Sequence, residues 1–246
     1  MEKVGIIGGS GLEDPDILKD QKEIRGSSRW GDTTSPLLSG KINNHEVILL
    51  ARHGREHTIP PTQVNNRANI WALKENGCSK IISTTACGSL REEIGRGHII
   101  IPDQFIDFTR RRELSFYDVF DPGDMKHTPM ADPFDRELRN LLIKAGSDLD
   151  FPLHESGTII TIEGPRFSTR AESKMFRMWN ADLVNMSIAP EAILANELGI
   201  PYVTIAMSTD YDSWHEDEEP VSWQEVIRIF NENVSKVVSL IQKFFE

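Results

Sequence analysis

The stretch KVGIIGGSG, residues 3–11, gives the first indication of the fold. An apolar run of strand length ends in a glycine-rich turn, a pattern typical of the first strand of an α/β protein, where backbone N–H groups can close on an anion. The turn does not fit the dinucleotide-binding fingerprint or the P-loop, since Asp14 replaces the third glycine and no Gly-Lys-Ser/Thr follows. Leu12 likewise breaks the G-x-S-x-G nucleophile pattern. A tight turn and an anion-binding loop are both consistent with this stretch alone.

Further apolar runs alternate with amphipathic stretches along the chain, which favours a largely parallel sheet covered by helices. The predicted strands are residues 3–8, 46–51, 80–86, 98–107, 157–164, 182–186 and 202–209. The predicted helices begin near Thr62 and stop at Gly77, begin near Pro190 and stop before Gly199, and run from Ser222, which lies three residues before Glu225, through Ile241. A further helix is predicted after Gly164 and Pro165, with Thr169 three residues before Glu172. Residues 110–127 read as a long irregular loop. No linker or composition shift divides the 246 residues, so a single domain over 1–246 is expected.

Composition narrows the class of partner. The chain has 27 Lys and Arg against 38 Asp and Glu, a net charge of −11 that argues against nucleic acid and anionic membranes. Cys78 and Cys87 are its only cysteines, which favours a reducing compartment over a disulfide framework. No signal peptide or membrane-length apolar run is visible, so a cytoplasmic protein is expected.

Polar or small residues follow several predicted strands. They are Arg52 and His53, Thr85 and Ala86, Phe167 in the turn after residues 157–164, and Ser187 before a helix. Arg52 offers a fixed fork of donors and His53 a donor that can gain charge, both suited to a phosphate-sized oxyanion. Cys87 has no adjacent base, and His53 and His57 lack a zinc-binding context, so a buried thiol and a site without metal are expected. Ligands of open α/β sheets bind outside the carboxyl ends of strands, which predicts one shared site.

Two aspartates, Asp210 and Asp212, stand at the end of the strand predicted for residues 202–209. They could hold a metal, act as an acid/base pair, cap a helix or read hydrogen-bonding groups on a ligand. If the strand stays extended, both side chains point to the same side. Apolar surroundings would raise the pKa of at least one member of such a pair.

Eight motifs together resemble one family. They are GIIGGSGLEDP, LLARHGREHTIPP, NNRANIWALKENGC, TTACGSLREEI, DQFIDFT, HTPMADPF, TIEGPRFSTRAES and AMSTDYDSW. The chain resembles the methylthioadenosine phosphorylase branch of the trimeric purine nucleoside phosphorylases, from Gly5 to about Val226. The resemblance implies a single-domain nucleoside phosphorylase-like fold with a central, mixed, mostly parallel twisted sheet. It also implies a homotrimer or dimer of trimers, and inorganic phosphate as co-substrate with no cofactor or metal.

The resemblance further implies residue roles. Phosphate contacts fall on Ser10, Arg52, His53, Thr85, Ala86 and Ser187. Nucleoside contacts fall on Phe167, Ser168, Met186, Thr209, Asp210 and Asp212, with Asp210 as the acid that protonates the purine and Asp212 as its partner. The 5′-alkylthio pocket falls on Trp223, Val226, Ile227 and His127, the last from a neighbouring subunit. Trp223 stands where the family often has a smaller residue.

The implied reaction is phosphorolysis of S-methyl-5′-thioadenosine in purine and methionine salvage, catalysed by a pentosyltransferase. Carboxylates at the 6-position of the purine favour adenine over 6-oxopurines. The alternatives are a 6-oxopurine nucleoside or methylthioinosine phosphorylase, a hydrolytic nucleosidase, and a non-catalytic adenine-nucleoside binding protein. A nicotinamide-dependent oxidoreductase is the most distant one.

Overall fold

The computed structural model describes residues 2–8, 17–216 and 222–246. Its strands are β1 Lys3–Gly8, β2 Lys19–Ile24, β3 Ser27–Ser28, β4 Gly31–Asp32, β5 Leu37–Ile42, β6 His45–Ala51, β7 Cys78–Ser89, β8 Ile99–Ile100, β9 Gln104–Phe108, β10 Leu153–His154, β11 Thr158–Ile162, β12 Leu183–Asn185 and β13 Tyr202–Asp210. Its helices are α1 Asn66–Glu75, α2 Arg136–Ser147, α3 Arg170–Met178, α4 Ile188–Glu197 and α5 Trp223–Phe244. None of these helices is long and apolar enough to cross a bilayer.

Eleven of the described strands form one mixed sheet, which confirms the predicted α/β class. The strand order along the main path is β10-β8-β13-β7-β1-β6-β5-β2. A branch of three strands in the order β12-β11-β9 is attached through β12 to the carboxyl end of β7. The central pairs β13/β7, β7/β1 and β1/β6 are parallel, whereas β5 and β2 add antiparallel strands at one side. Parallel strands are buried on both faces, and this explains the nearly continuous burial of β1, β13 and the middle of β7.

Helices cover both faces of the sheet. Ile7 of β1 packs in the cluster that contains residues of α1 and α4, and the neighbouring Ile6 packs in the cluster that contains residues of α2 and α5. The alternation follows from the pleat, which turns successive side chains to opposite faces. Two hydrophobic cores therefore hold the central strands, and the strand ends between them are fixed in position.

Side-chain caps set where several helices begin. Thr169 and Glu172 form a complete capping box at α3. Ser222 caps α5 by accepting from the Glu225 N–H, as its spacing predicts, but the Glu225 carboxylate pairs with Arg228. The predicted start near Thr62 is wrong, because Pro61–Gln63 form a short 3₁₀ turn and Asn65 caps α1 at Asn66.

The strand predicted for residues 98–107 and the full set of elements differ from the sequence expectations. Residues 98–107 are not one strand: β8 and β9 are separate, because β8 pairs with β13 and β10 whereas β9 pairs with β11. The elements β2, β3, β4, β5, β10 and α2 were not predicted from the sequence. Residues 110–127 contain no described helix or strand beyond an isolated bridge between Asp121 and Asp124, as predicted for a long loop.

Candidate active site

A cavity of about 590 Å³ opens at the carboxyl ends of the central parallel strands. Its walls include thirteen of the predicted site residues: Arg52, His53, Thr85, Ala86, Phe167, Ser168, Met186, Ser187, Thr209, Asp210, Asp212, Trp223 and Val226. The parallel register of β6, β1, β7 and β13 brings these strand ends to one edge of the sheet. The volume lies in the range of small-molecule sites.

The two aspartates meet inside this cavity through a turn rather than an extended strand. β13 ends at Asp210, and Asp212 takes a left-handed backbone with φ 45° at the start of a 3₁₀ turn. The Asp212 backbone N–H donates to Asp210 Oδ1 at 2.8 Å, and the Thr209 hydroxyl donates to Oδ2 at 2.9 Å. The strand therefore does not stay extended to Asp212, so the condition for both side chains to point to the same side is not met, and a local hydrogen bond holds the pair together.

Burial governs the protonation of this pair. It raises the pKa of Asp210 from 3.8 to about 6, although the hydrogen bonds from Asp212 and Thr209 oppose the shift. Burial likewise raises the pKa of Asp212. A carboxyl group with a pKa near the working pH is suited to give and take a proton.

Gly88 of β7 leaves space for the carboxyl pair. A Cβ placed at Gly88 would lie 2.9 Å from Asp210 Oδ1 and 3.2 Å from Asp212 Cβ. Any larger residue would push against the aspartates. That Gly88 leaves space for the two aspartates was not predicted from the sequence, although Gly88 stands in the TTACGSLREEI motif.

Arg52 lies beneath the cavity in a buried network. Two of its N–H groups donate to Glu191, from Nε to Oε1 at 2.5 Å and from Nη2 to Oε2 at 3.1 Å. Nη2 also donates to the Ser83 hydroxyl at 2.7 Å, and Nη1 donates to the Thr84 carbonyl at 2.8 Å. The Tyr202 hydroxyl donates to Glu191 Oε2 at 2.7 Å. Four N–H groups of the guanidinium thus go to protein atoms, and the expected fork toward an oxyanion is instead turned toward Glu191.

His53 is neutral in this structure. Burial, followed by the charge of Arg52, lowers its pKa from 6.5 to about 3. Its Nδ1 lies 2.8 Å from the Ile59 carbonyl, an acceptor, so Nδ1 carries the proton and Nε2 carries the lone pair. The structure therefore contradicts the expectation that His53 gains charge, because desolvation and the neighbouring cation both oppose it.

Small and hydroxyl residues complete the polar side of the cavity. The hydroxyls of Thr85 and Ser187 lie 3.2 Å apart, and Asn185 donates to Thr85 Oγ1 at 3.4 Å. Ser187 occupies the N-cap of α4 without a side-chain capping bond, so its hydroxyl is not committed to the helix. An anion here would meet hydroxyl groups and the positive end of α4.

The aromatic and apolar side is formed by the segment after β11. Phe167 and Met186 line the cavity, with the buried Ser168 between Phe167 and the capping box of α3. Gly164 has φ 67°, and a Cβ there would lie 2.5 Å from Met186 Sδ. The glycine therefore lets this segment pass close to Met186.

Trp223 and His57 form the rim of the cavity. Their ring centroids are 5.3 Å apart, and His57 in turn lies 4.6 Å from the His53 ring. Val226 lines the wall next to Trp223, whereas Ile227 does not line the cavity. From the sequence His57 was considered only as a metal ligand, so these ring contacts were not predicted.

Three other predictions are placed as follows. His127 does not line the cavity and lies against Phe120 in the long loop, with ring centroids 5.8 Å apart. Ser10 lies outside the described residues. Cys87 lines the cavity as a protonated thiol, because burial and Asp210 raise its pKa. No group of three His, Cys, Asp or Glu residues suited to a metal occurs within 2–8, 17–216 and 222–246.

Comparison with known proteins identifies the family. Residues 3–246 match the phosphorylase superfamily model. S-methyl-5′-thioadenosine phosphorylase of Xenopus tropicalis is 55% identical over 243 residues, covering 97% of this chain and 86% of that protein, and the Drosophila melanogaster enzyme of the same name is 49% identical over 97% of this chain and 83% of its own.

Solved structures agree. Methylthioadenosine phosphorylase from Schistosoma mansoni in complex with adenine has a TM-score of 0.93 at 38% identity, covering 100% of this chain and 91% of that one. A variant of the S. mansoni enzyme in complex with methylthioadenosine has a TM-score of 0.90 at 37% identity, with the same coverage. The chain is thus a member of the phosphorylase superfamily. Within it, the chain belongs to the methylthioadenosine phosphorylase branch, which confirms the resemblance found in the sequence.

Proposed function

We propose that this protein catalyses the phosphorolysis of S-methyl-5′-thioadenosine to adenine and 5-methylthioribose 1-phosphate. The observation that carries the proposal is Asp210, a buried carboxyl with a pKa of about 6 in a cavity shared with Phe167 and Ser187. The relatives named for this activity and the structures with bound adenine and methylthioadenosine support the choice of substrate.

In the proposed reaction a phosphate oxygen forms a bond to C1′ of the sugar while the C1′–N9 bond breaks. The electron pair of that bond goes to the purine, and protonated Asp210 gives its proton to N7, so that adenine leaves neutral. A positioned acid of this kind contributes ~10²–10⁴-fold to the rate. Phosphate next to C1′ offsets the positive charge that develops on the sugar.

Asp212 is the proposed partner of Asp210 and an acceptor for the 6-amino group of adenine. A buried acceptor left facing the oxo group of a 6-oxopurine would be unpaired, and such mismatches reject analogues strongly. Thr209 supports the pair by its hydrogen bond to Asp210 Oδ2. We therefore expect adenine nucleosides to be preferred.

The proposed phosphate site comprises Ser10, Arg52, His53, Thr85, Ala86 and Ser187, with phosphate as co-substrate and no cofactor. The N-terminus of α4 at Ser187 favours an anion. Neutral His53 with its lone pair on Nε2 is suited to accept the O–H of hydrogen phosphate. Arg52 supplies positive charge from below the cavity.

The nucleoside is proposed to stack its base on Phe167, with Ser168 and Met186 beside it. Trp223 and Val226 would form the 5′-alkylthio pocket, completed by His127 of a neighbouring subunit. His127 does not line the cavity of its own chain, which fits a role in a second one.

We also propose a homotrimer or a dimer of trimers. The long loop exposes Val119 and Met125, at 85% and 67% of their surface, together with Phe120. Apolar side chains exposed together in this way mark interaction surfaces. The proposed setting is purine and methionine salvage in the cytoplasm, which the two buried free thiols, Cys78 and Cys87, support.

The test is a panel of methylthioadenosine, adenosine, methylthioinosine, inosine and guanosine, each measured with and without phosphate. We expect phosphate-dependent turnover that is fastest on methylthioadenosine. Turnover that persists without phosphate would identify a hydrolase instead. A higher kcat/KM for methylthioinosine or inosine would assign a 6-oxopurine enzyme, and binding without turnover would refute catalysis.

A further inference from the structure

The phosphate end of the cavity has a single fixed cationic side chain. Arg52 is the only Arg or Lys among the described residues that line the cavity. Its side chain is 2% exposed and pairs with Glu191, which is 1% exposed and stands behind the wall. The charge nearest to the proposed phosphate is therefore matched by a buried carboxylate.

Four hydrogen-bond donors converge on the two carboxylate oxygens of Glu191. Its two oxygens accept from Arg52 Nε and Nη2, from the Ser83 hydroxyl at 2.9 Å and from the Tyr202 hydroxyl at 2.7 Å. Two of these four donors are charged N–H groups of the Arg52 guanidinium, so the pair is charge-assisted.

Glu191 is placed between helix α4 and the central sheet. Glu191 lies in the first turn of α4, the helix whose N-cap is Ser187 on the cavity wall. Its partners come from β7, β13 and the residue after β6. One side chain thus ties the helix N-terminus and Arg52 to the central sheet.

We infer that Glu191 is a positioning residue that acts through Arg52: it fixes the guanidinium and offsets its charge, so that phosphate is held by hydrogen bonds and binds weakly. The inference rests on the proposed phosphate-dependent reaction. An uncompensated cation in a site of low dielectric would hold the phosphate and the sugar phosphate product much more tightly. Offsetting that charge lets both exchange during turnover.

The deciding variant is Glu191→Gln, which keeps the shape and one acceptor but removes the negative charge. We expect the Kd for inorganic phosphate, measured by calorimetry, and the KM for phosphate to fall about tenfold or more, since Arg52 becomes uncompensated. The KM for the nucleoside should stay within about twofold. A purely structural role for Glu191 predicts the opposite, with both KM values raised.

Glu197→Gln is the matched control, because it makes the same change in the same helix. Glu197 accepts from the Phe116 N–H at 2.7 Å and does not line the cavity. A glutamine carbonyl can keep that bond. We expect both KM values of this variant to equal those of the unmodified protein.

Loss of the buried counter-charge destabilises the fold, so melting temperatures across a phosphate series provide a second measurement. Phosphate should raise the melting temperature of Glu191→Gln more than that of the unmodified protein. An equal or smaller rise, or a variant insoluble at every phosphate concentration, would overturn the inference. If the unmodified protein neither binds nor requires phosphate, the proposed function fails. If the unmodified protein binds and requires phosphate but Glu191→Gln binds phosphate no more tightly, only the inference about Glu191 fails.

Discussion

Replacing Asp210 by asparagine should remove catalysis while making the protein more stable. The amide has nearly the same shape, and its oxygen can accept from the Asp212 N–H as Oδ1 does at 2.8 Å. The amide NH₂ can donate to the Thr209 hydroxyl, which can turn toward the Cys87 carbonyl 3.3 Å away. Both hydrogen bonds that the Asp210 carboxylate makes to Asp212 and Thr209 therefore have a counterpart in the variant. Because Asn cannot give a proton to the purine, we expect kcat to fall ~10²–10⁴-fold.

The gain in stability follows from the pKa of Asp210. This carboxyl has a pKa of about 6 against an ordinary value of 3.8, so ionising it costs about 3 kcal/mol more in the folded protein than in the unfolded chain. The folded state binds the proton more tightly, so stability is full below about pH 4 and is lost as pH rises through about 6. Asn never ionises and escapes this cost. Above pH 6 the variant should gain up to about 3 kcal/mol, or ~10 °C in melting temperature at most.

Thermal unfolding at several pH values and steady-state kinetics test both halves of this prediction. The difference in melting temperature between Asp210→Asn and the unmodified protein should grow from pH 5 to pH 8. Asp135→Asn is the control, because Asp135 caps α2 by accepting from the Leu138 N–H and asparagine caps equally well. Retained turnover would refute the acid role, and a variant less stable at pH 8 would refute the electrostatic reasoning.

Three further substitutions address the walls of the cavity. Gly88→Ala places a Cβ 2.9 Å from Asp210 Oδ1, so it should lower kcat by at least about tenfold in activity assays with saturating substrates. Phe167→Ala removes the proposed stacking surface and should raise the nucleoside KM by about 2–12-fold, measured at saturating phosphate, with the phosphate KM unchanged. Trp223→Val removes the ring that contacts His57 and should improve kcat/KM for longer 5′-alkylthio analogues relative to methylthioadenosine; an unchanged ratio would show that Trp223 does not limit the pocket.

The sequence was sufficient to place most cavity residues because parallel strands deliver their carboxyl ends to one edge. Thr85, Ser187 and Asp210 each follow an apolar run, and the sheet brings all three to the same cavity. The number of central strands followed from the same apolar runs. Their ends were predictable because they depend on local sequence and on a general rule of open sheets.

The partners of charged residues were not predictable from the sequence. Arg52 reads as an oxyanion fork, but its main partner, Glu191, lies 139 positions further along the chain and reads as an ordinary helix-start acid. His53 reads as a residue that gains charge, and burial next to Arg52 prevents it. Both errors arise because desolvation and long-range pairing appear only once the chain is folded.

The local backbone geometry at the two aspartates also could not be predicted from the sequence. Asp210 and Asp212 were expected on the same side only if the strand stayed extended, but Asp212 adopts φ 45°, a conformation that non-glycine residues rarely take. The role of Gly88 is similar, since the space it leaves matters only when β7 and β13 lie side by side. Such positions depend on neighbouring strands and not on their own flanking residues.

The two ends of the main sheet path limit how the protein can associate. At one end, β2 carries the sequence KDQKEI and is exposed along nearly its whole length; at the other, β10 is only two residues long. Charged or very short edge strands resist pairing with the edge of another molecule. Strand-by-strand addition of further copies, which would produce aggregates, is therefore disfavoured at both of these ends. Loops and helix faces are the surfaces left for association of copies of this chain at high concentration.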